Sequence, residues 1–344
     1  MAKTEIEKYF DEQWGKGILF KASTNRKPKY HKDLYLSSGS HQLNNILSDH
    51  PLYGMRRGRL MEIFGPESTG KTTIALHFAA EATKRKMTVG FMDVEHALDL
   101  DYVEKIGVDL DRFYIAQPEC CEDCFEVAFD LLSRKINLLV FDSVPSMIPK
   151  AIIDGEMLDQ EMGTAARVMG KGVKKLSKEI AKADAWGIFI NQIRFKIGVT
   201  FGNPETTPGG MALRFYTSYR LDLRMPREGK IEETVKKPTL EDLDFDEDEK
   251  GKKKKSTKTE TGSRIVVKAI KNKLARPYQK ASIKIDYGKG IDKQDSLLQY
   301  LAGKGIVNIK DKRRLSFGKQ DFTRDKFFAD EKAMAEVDKI LEGA

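Results

Sequence analysis

The chain has 344 residues, 40% hydrophobic and 33% charged, an ordinary globular balance with length for about two domains. It carries no uncharged apolar run long enough to cross a bilayer, no apolar core in its first residues for a secretory signal, and only three cysteines, so neither a membrane-spanning, a secreted nor a disulfide-stapled protein is expected. A formal charge of +8 leans towards an anionic partner without identifying it.

Residues 4–20 read as a charged helix with Ile6, Phe10, Trp14 and Leu19 as apolar anchors. A basic stretch with Lys21, Arg26, Lys27, Lys29 and Lys32 follows, broken by Pro28, so residues 1–35 are expected to form a small N-terminal element. Strands and helices then alternate. Residues 60–64 make a short apolar strand closed by Gly65, and 72–86 a helix with Ile74, Ala75, Phe78, Ala79 and Ala82 on one face. Further strands are expected at 88–93, 136–142, 187–191 and 220–224, with a long amphipathic helix at 163–184. This alternation implies right-handed crossovers and a doubly wound α/β layer with a mostly parallel twisted sheet.

Residues 238–262 break the pattern. Residues 241–249 are almost all acidic, Lys250 and residues 252–255 are basic, and 256–262 are polar. Such blocks bury too little apolar surface to offset chain entropy, so a disordered surface loop is predicted. Strand character resumes at Arg264 and again over 281–287, and residues 289–344 read as a small C-terminal α/β domain. The core is then 36–288.

Gly65-Pro66-Glu67-Ser68-Thr69-Gly70-Lys71-Thr72 fits G-x-x-x-x-G-K-[ST] and lies between a strand and a helix, where a phosphate-binding loop must lie. Its glycines let successive N–H groups face a phosphate, and the helix N-terminus adds its positive end; Thr73 continues that first turn. Lys71 is expected to reach the β- and γ-phosphates of ATP, and the Thr72 hydroxyl to ligate Mg²⁺. Asp142 ends an apolar strand, as a second Mg²⁺ anchor does in this kind of site. Glu95, just past the next strand, is the candidate for orienting and deprotonating water. His96 reads as a turn residue.

Residues 193–210 form a long connection with Gly198, Gly202, Gly209 and Gly210, Pro204 and Pro208, and with Arg194, Phe195, Lys196 and Phe201. Cations hold phosphates and apolar side chains wedge between bases, so DNA contact competes with a mobile surface loop as its reading. Cys120-Cys121-Glu122-Asp123-Cys124 holds too few ligands for a closed zinc site and reads as a helix start. Trp186 and Phe189 read as core. Phe215 and Tyr216 read as core or as a subunit-interface pair.

These motifs, together with Asp93-Val94-Glu95-His96-Ala97-Leu98-Asp99, Phe189-Ile190-Asn191-Gln192-Ile193-Arg194 and Phe201-Gly202-Asn203-Pro204-Glu205-Thr206, closely resemble those of the bacterial RecA-type recombinases, in order from about residue 14 to 290. The resemblance implies an ATP-dependent, DNA-dependent ATPase. It would polymerise head to tail as a helical filament on single-stranded DNA, pair it with homologous double-stranded DNA and exchange strands. It implies that Glu95 activates water and that Gln192 senses the γ-phosphate. Asp99 and Tyr102 would contact adenine, and Lys271 and Lys273 would reach the neighbouring protomer's nucleotide. Residues 193–210 would be the second DNA loop and 153–162 the first, with Met162 as a wedge and Arg167 and Lys171 in the helix beyond. The expected compartment is the cytoplasm, of a bacterium or of a virus-infected host.

The chain departs from that pattern at Pro145 and Pro149, at Thr207-Pro208, in the longer charged segment, and in ending without an acidic tail. The acidic run is either an intramolecular competitor for the DNA loops or a solvated insertion. A ring helicase on the same core would unwind a tailed duplex without pairing homologous strands. A non-catalytic recombination accessory would lack DNA-stimulated hydrolysis.

Overall fold

The structure is a computed structural model that describes residues 3–16, 18–23, 30–155, 161–196, 198, 202–235, 257–311 and 313–344. The chain divides into two compact units, residues 1–34 and 35–344. In the first, helix α1 (Glu5–Trp14) starts at a capping box: the Thr4 hydroxyl accepts from the Glu7 N–H, and the Glu7 carboxylate accepts from the Thr4 N–H. Gly15, at φ 97°, ends it six residues before the expected stop at Phe20. Ile6, Tyr9 and Trp14 are exposed, and α1 buries no residue.

The second unit is built on a ten-stranded sheet. In chain order its elements are helix α2 (His41–Ser48), strand β1 (Arg59–Gly65), α3 (Lys71–Lys84), β2 (Val89–Asp93), α4 (Leu100–Ile106), β3 (Phe113–Ala116), α5 (Cys121–Ser133), β4 (Leu138–Asp142), α6 (Glu161–Lys182), β5 (Trp186–Gln192), α7 (Gly210–Tyr216), β6 (Tyr219–Arg224), β7 (Lys230–Val235), β8 (Thr257–Asn272), β9 (Lys280–Asp286) and β10 (Gly290–Ile291). The order across the sheet is β10-β9-β8-β6-β1-β5-β4-β2-β3, with β7 also on β8. From β6 to β3 every pairing is parallel; β7 to β10 are joined antiparallel.

The central strands read as unbroken apolar runs because both sheet faces are covered. Leu138 and Val140 of β4 point into one core with Ile63, Phe78 and Ile188. Leu139 and Phe141 point into the other with Phe125, Val173 and Phe189, the Phe141 and Phe189 rings stacking at 4.4 Å. Trp186 and Phe189 are core, as expected, and Cys120 caps α5.

The charged segment is shorter than predicted. Residues 257–262 belong to β8, where Glu260 and Gly262 face Glu232 and Ile231 across the ladder and Lys230 pairs with Glu260 at 2.6 Å. Polar composition misled there because an outlying strand can be solvated on one face. The rest of the predicted loop, 238–256, lies outside the described residues.

After α8 (Lys293–Gly303) come strands β11 (Val307–Ile309), β12 (Arg314–Phe317) and β13 (Gln320–Thr323), then α9 (Arg324–Ala329) and α10 (Glu331–Glu342). These strands form an antiparallel sheet of their own, and Phe327 centres a third apolar cluster with Leu301, Val307, Leu315, Val337 and Leu341.

Candidate active site and nucleic-acid loop

The loop 65–70 leaves the buried end of β1 and enters α3 at Gly70, whose φ of 74° suits glycine and whose missing side chain leaves the helix N-terminus uncapped. That end is therefore open to an anion. The Lys71 ammonium and the Thr69 hydroxyl both donate to the Pro66 carbonyl, at 2.7 and 2.8 Å. Thr72 donates its hydroxyl to Asp142 Oδ2 at 2.7 Å, so the two expected Mg²⁺ anchors meet although 70 residues separate them. Among the described residues no group of three His, Cys, Asp or Glu could hold a metal alone.

A cavity of about 430 Å³ opens beside this loop. Its walls are residues 68–73, Tyr102, Ser263 of β8, Ile285 of β9, and Tyr287 and Gly288 beyond. Tyr102 is fixed by a 2.9 Å hydrogen bond between its hydroxyl and that of Thr73. Asp99 is not on that wall; its carboxylate caps α4, accepting from the N–H groups of Asp101 and Tyr102. Lys271 and Lys273 are not on it either. Lys271 donates to the carbonyls of Arg214 and Phe215 and Lys273 to that of Phe215, closing the C-terminal end of α7 with positive charge.

Glu95 is exposed, and its Oε1 accepts from the hydroxyls of Ser143 and, at 3.4 Å, Ser146. Asp93, buried at the end of β2, anchors the turn that carries Glu95: its carboxylate accepts from the Ala97 N–H at 3.2 Å and the Gln117 amide at 3.1 Å. Burial pushes the Asp142 carboxyl up to about 6, aided by the charges of Glu95 and Asp93 and opposed by Thr72 and Lys71. Burial likewise lowers the Lys71 ammonium, against the pull of Asp142, Glu95 and Glu67. A desolvated site crowded with carboxylates is one that a divalent cation would relieve.

Gln192 ends β5, and the described part of the following connection forms a short ladder. Arg194–Phe195 pair antiparallel with Glu205–Thr206, and the Lys196 N–H donates to the Pro204 carbonyl at 3.0 Å. Arg194, Phe195 and Lys196 are exposed, Phe195 at 68%. The return arm is held residue by residue: Arg224 donates to both carboxylate oxygens of Glu205 through its two terminal guanidinium nitrogens, and Arg214 donates to Thr206 at 2.9 Å. Gly209 then caps α7 at φ 84°, and Gly210 opens it at φ 69°. Arg167 and Lys171 are exposed four residues apart on α6. Met162 lies in α6 by its backbone, its side chain outside the described residues, as are Phe201 and residues 156–160.

The profile of the family described as "RecA N-terminal domain" matches residues 2–240. Similar proteins include "Protein RecA" of Oceanobacillus iheyensis, 42% identical over 308 residues, covering 89% of this chain and 79% of that one. "Protein RecA" of Geobacter sulfurreducens is 41% identical over 310 residues, covering 90% and 81%. "Protein RecA" of Staphylococcus carnosus is 39% identical over 304 residues, covering 88% and 77%. The chain belongs to the RecA family.

For a RecA-family chain the sequence alone left several groups unseen. Ser263 of β8, Ile285 of β9, and Tyr287 and Gly288 of the turn after β9 come to the cavity from about 200 residues beyond the phosphate loop. An aromatic followed by glycine at the end of an apolar strand was the one available sign. The hydroxyls of Ser143 and Ser146 carry no motif of their own. Phe215, 64% exposed, does not belong to this chain's core, which removes one of its two readings.

Proposed function

We propose that this RecA-family chain is an ATP-dependent recombinase of DNA recombination and repair, a DNA-dependent ATPase that acts as a head-to-tail filament on single-stranded DNA. The observation that carries the reading is a set of neighbours. Lys71 and Thr72 line a cavity, Thr72 donates to Asp142, and Glu95 is near enough for its charge to act on both Lys71 and Asp142, while Gln192 leads directly into a connection that exposes two cations and an aromatic ring.

In this reading ATP lies along residues 65–73, with its base near Tyr102 and Asp99. Lys71 contacts the β- and γ-phosphates. Thr72 and Asp142 would hold Mg²⁺, which neutralises charge on those phosphates when bound. Glu95 orients a water molecule and takes its proton as the new oxygen–phosphorus bond forms and the bond to ADP breaks. Residues 1–35 serve as an oligomerisation element, 36–288 as the ATPase, and 289–344 as a domain of its own. Lys271 and Lys273 reach the next protomer's nucleotide, so the ATP site is complete only between two copies.

Strand exchange trades one duplex for a nearly equal one and needs little net energy. ATP sets the filament state instead. It favours the DNA-binding form only by its differential affinity for the two forms, read by Gln192 and passed to residues 193–210. Arg194, Lys196, Arg167 and Lys171 hold phosphates, while Phe195, Phe201 and Met162 contact bases and Gly209 and Gly210 offer backbone N–H groups. Among the described residues no helix is long and apolar enough to cross a membrane. Electron microscopy with single-stranded DNA tests the reading: filaments should form with Mg²⁺ and a non-hydrolysable ATP analogue and be shorter or absent without nucleotide. Solitary molecules under both conditions would overturn it.

A further inference from the structure

The carboxylate of Glu62 lies in the middle of β1 and is fully buried. A buried charge persists only when paired and hydrogen-bonded, and Glu62 is held from both neighbouring strands. On one side Arg220 of β6, its register partner, donates through Nε to Oε2, while the guanidinium lies 4.8 Å over the Phe64 ring. On the other side Asn191 of β5 donates through Nδ2 to Oε1 at 2.9 Å.

Both partners also reach the second loop. The same Asn191 amide donates to the Pro208 carbonyl at 3.0 Å, and its Oδ1 accepts from the Gln192 N–H at 2.9 Å. Arg220 Nη2 donates to the Thr207 hydroxyl at 3.4 Å. Gln192 stands where the connection leaves the sheet; Thr207 and Pro208 stand where it returns. One buried carboxylate therefore fastens both ends of the segment. The Asn191 amide spends its two N–H donors and its oxygen on three partners, so it cannot follow Gln192 without pulling on Pro208 or releasing Glu62. Proline at 208 keeps this tie, since only its carbonyl is used.

We propose that Glu62 is a positioning residue for the coupling between nucleotide and DNA: through Asn191 and Arg220 it transmits the position of Gln192 to the return arm of the loop. The inference rests on the reading that Gln192 meets the γ-phosphate and that the loop meets DNA. A purely structural ion pair would hold the sheet together and leave the coupling alone.

The experiment measures the affinity of a labelled single-stranded oligonucleotide with and without a non-hydrolysable ATP analogue, for the unmodified protein, Glu62→Gln and Asn191→Ala. KM for ATP, DNA-stimulated kcat and the unfolding temperature are read beside it. The unmodified protein should bind DNA more tightly with nucleotide. Both variants should lose about tenfold of that enhancement, the size of an ordinary coupling between sites. Their KM for ATP should hold while DNA-stimulated kcat falls. Glu62→Gln with an undiminished enhancement overturns the inference and leaves the function standing. So does a loss that merely tracks a falling unfolding temperature and a rising KM. An unmodified protein indifferent to nucleotide overturns both. Should Glu62→Gln fail to fold, Asn191→Ala, which leaves the Glu62–Arg220 pair in place, decides by the same ratio.

Discussion

Glu95 owes its place to three contacts: the turn fixed by Asp93, and the hydroxyls of Ser143 and Ser146 on its Oε1. Glu95→Gln keeps the shape and both hydroxyl contacts and removes the base. ATP binding should persist while hydrolysis falls about a hundredfold or more, the range for loss of a positioned general base. Single-turnover hydrolysis beside equilibrium nucleotide binding checks this, and normal turnover would remove Glu95 from the base role. Residues of this kind were legible because a phosphate loop fixes its neighbours by spacing: Lys71, Thr72 and a carboxylate at the end of a buried strand follow from one motif. Ser143, Ser146 and Tyr287 were not, because a lone hydroxyl or a lone tyrosine carries no spacing to read.

Helix α6 shows what glycine means within an element. Gly170 has open space where a side chain would stand, whereas a Cβ on Gly172 would collide with the Phe125 ring of α5. Gly170→Ala should stabilise the protein by about 0.5–1 kcal/mol, the ordinary helix cost of glycine. Gly172→Ala should destabilise it by about 1–3 kcal/mol through overpacking. Urea unfolding of the two variants checks the opposite signs. Sequence periodicity located this helix and nearly every parallel strand, since burial on both faces writes itself as an apolar run. It missed the start of β8, where half the strand faces water. It also could not anticipate how α3 is tied to β10: His77 Nε2 accepts from the Ile291 N–H at 2.7 Å in a buried setting. Burial, with a smaller push from the Lys293 charge, lowers that imidazole to about 3. The unfolded chain therefore binds a proton near pH 6.5 that the folded one refuses. Stability is full above pH 6.5 and is lost as pH falls towards 3, by about 1.4 kcal/mol per unit from this group. Between pH 7 and 5 the protein should lose about 2 kcal/mol that His77→Gln retains. An equal acid loss in both, by urea titration at the two pH values, would contradict it.

At the scale of the whole molecule the sequence carried the family but not the way remote segments meet. Residues near 100, 263 and 287 share one cavity with residues 68–73, and no local pattern announces that meeting. The two halves proposed for each ATP site are likewise far apart in the chain. Lys71 faces the cavity, while Lys271 and Lys273 close the end of α7 beside exposed Phe215. Head-to-tail assembly would bring the lysines of one copy to the cavity of the next. This yields a test that a self-contained site cannot pass. Lys71→Ala destroys the phosphate side of every site, and the double variant Lys271→Ala/Lys273→Ala destroys the opposing side. Each alone should show almost no DNA-stimulated ATPase. In an equimolar mixture on single-stranded DNA, random head-to-tail assembly joins an intact phosphate loop to intact lysines at about a quarter of the interfaces. The mixture should therefore recover about a quarter of the unmodified rate per protomer, and a single-stranded DNA length series should show recovery only once several copies share a strand. A site completed within one copy would recover nothing on mixing, since each variant would carry its own lesion wherever it sat.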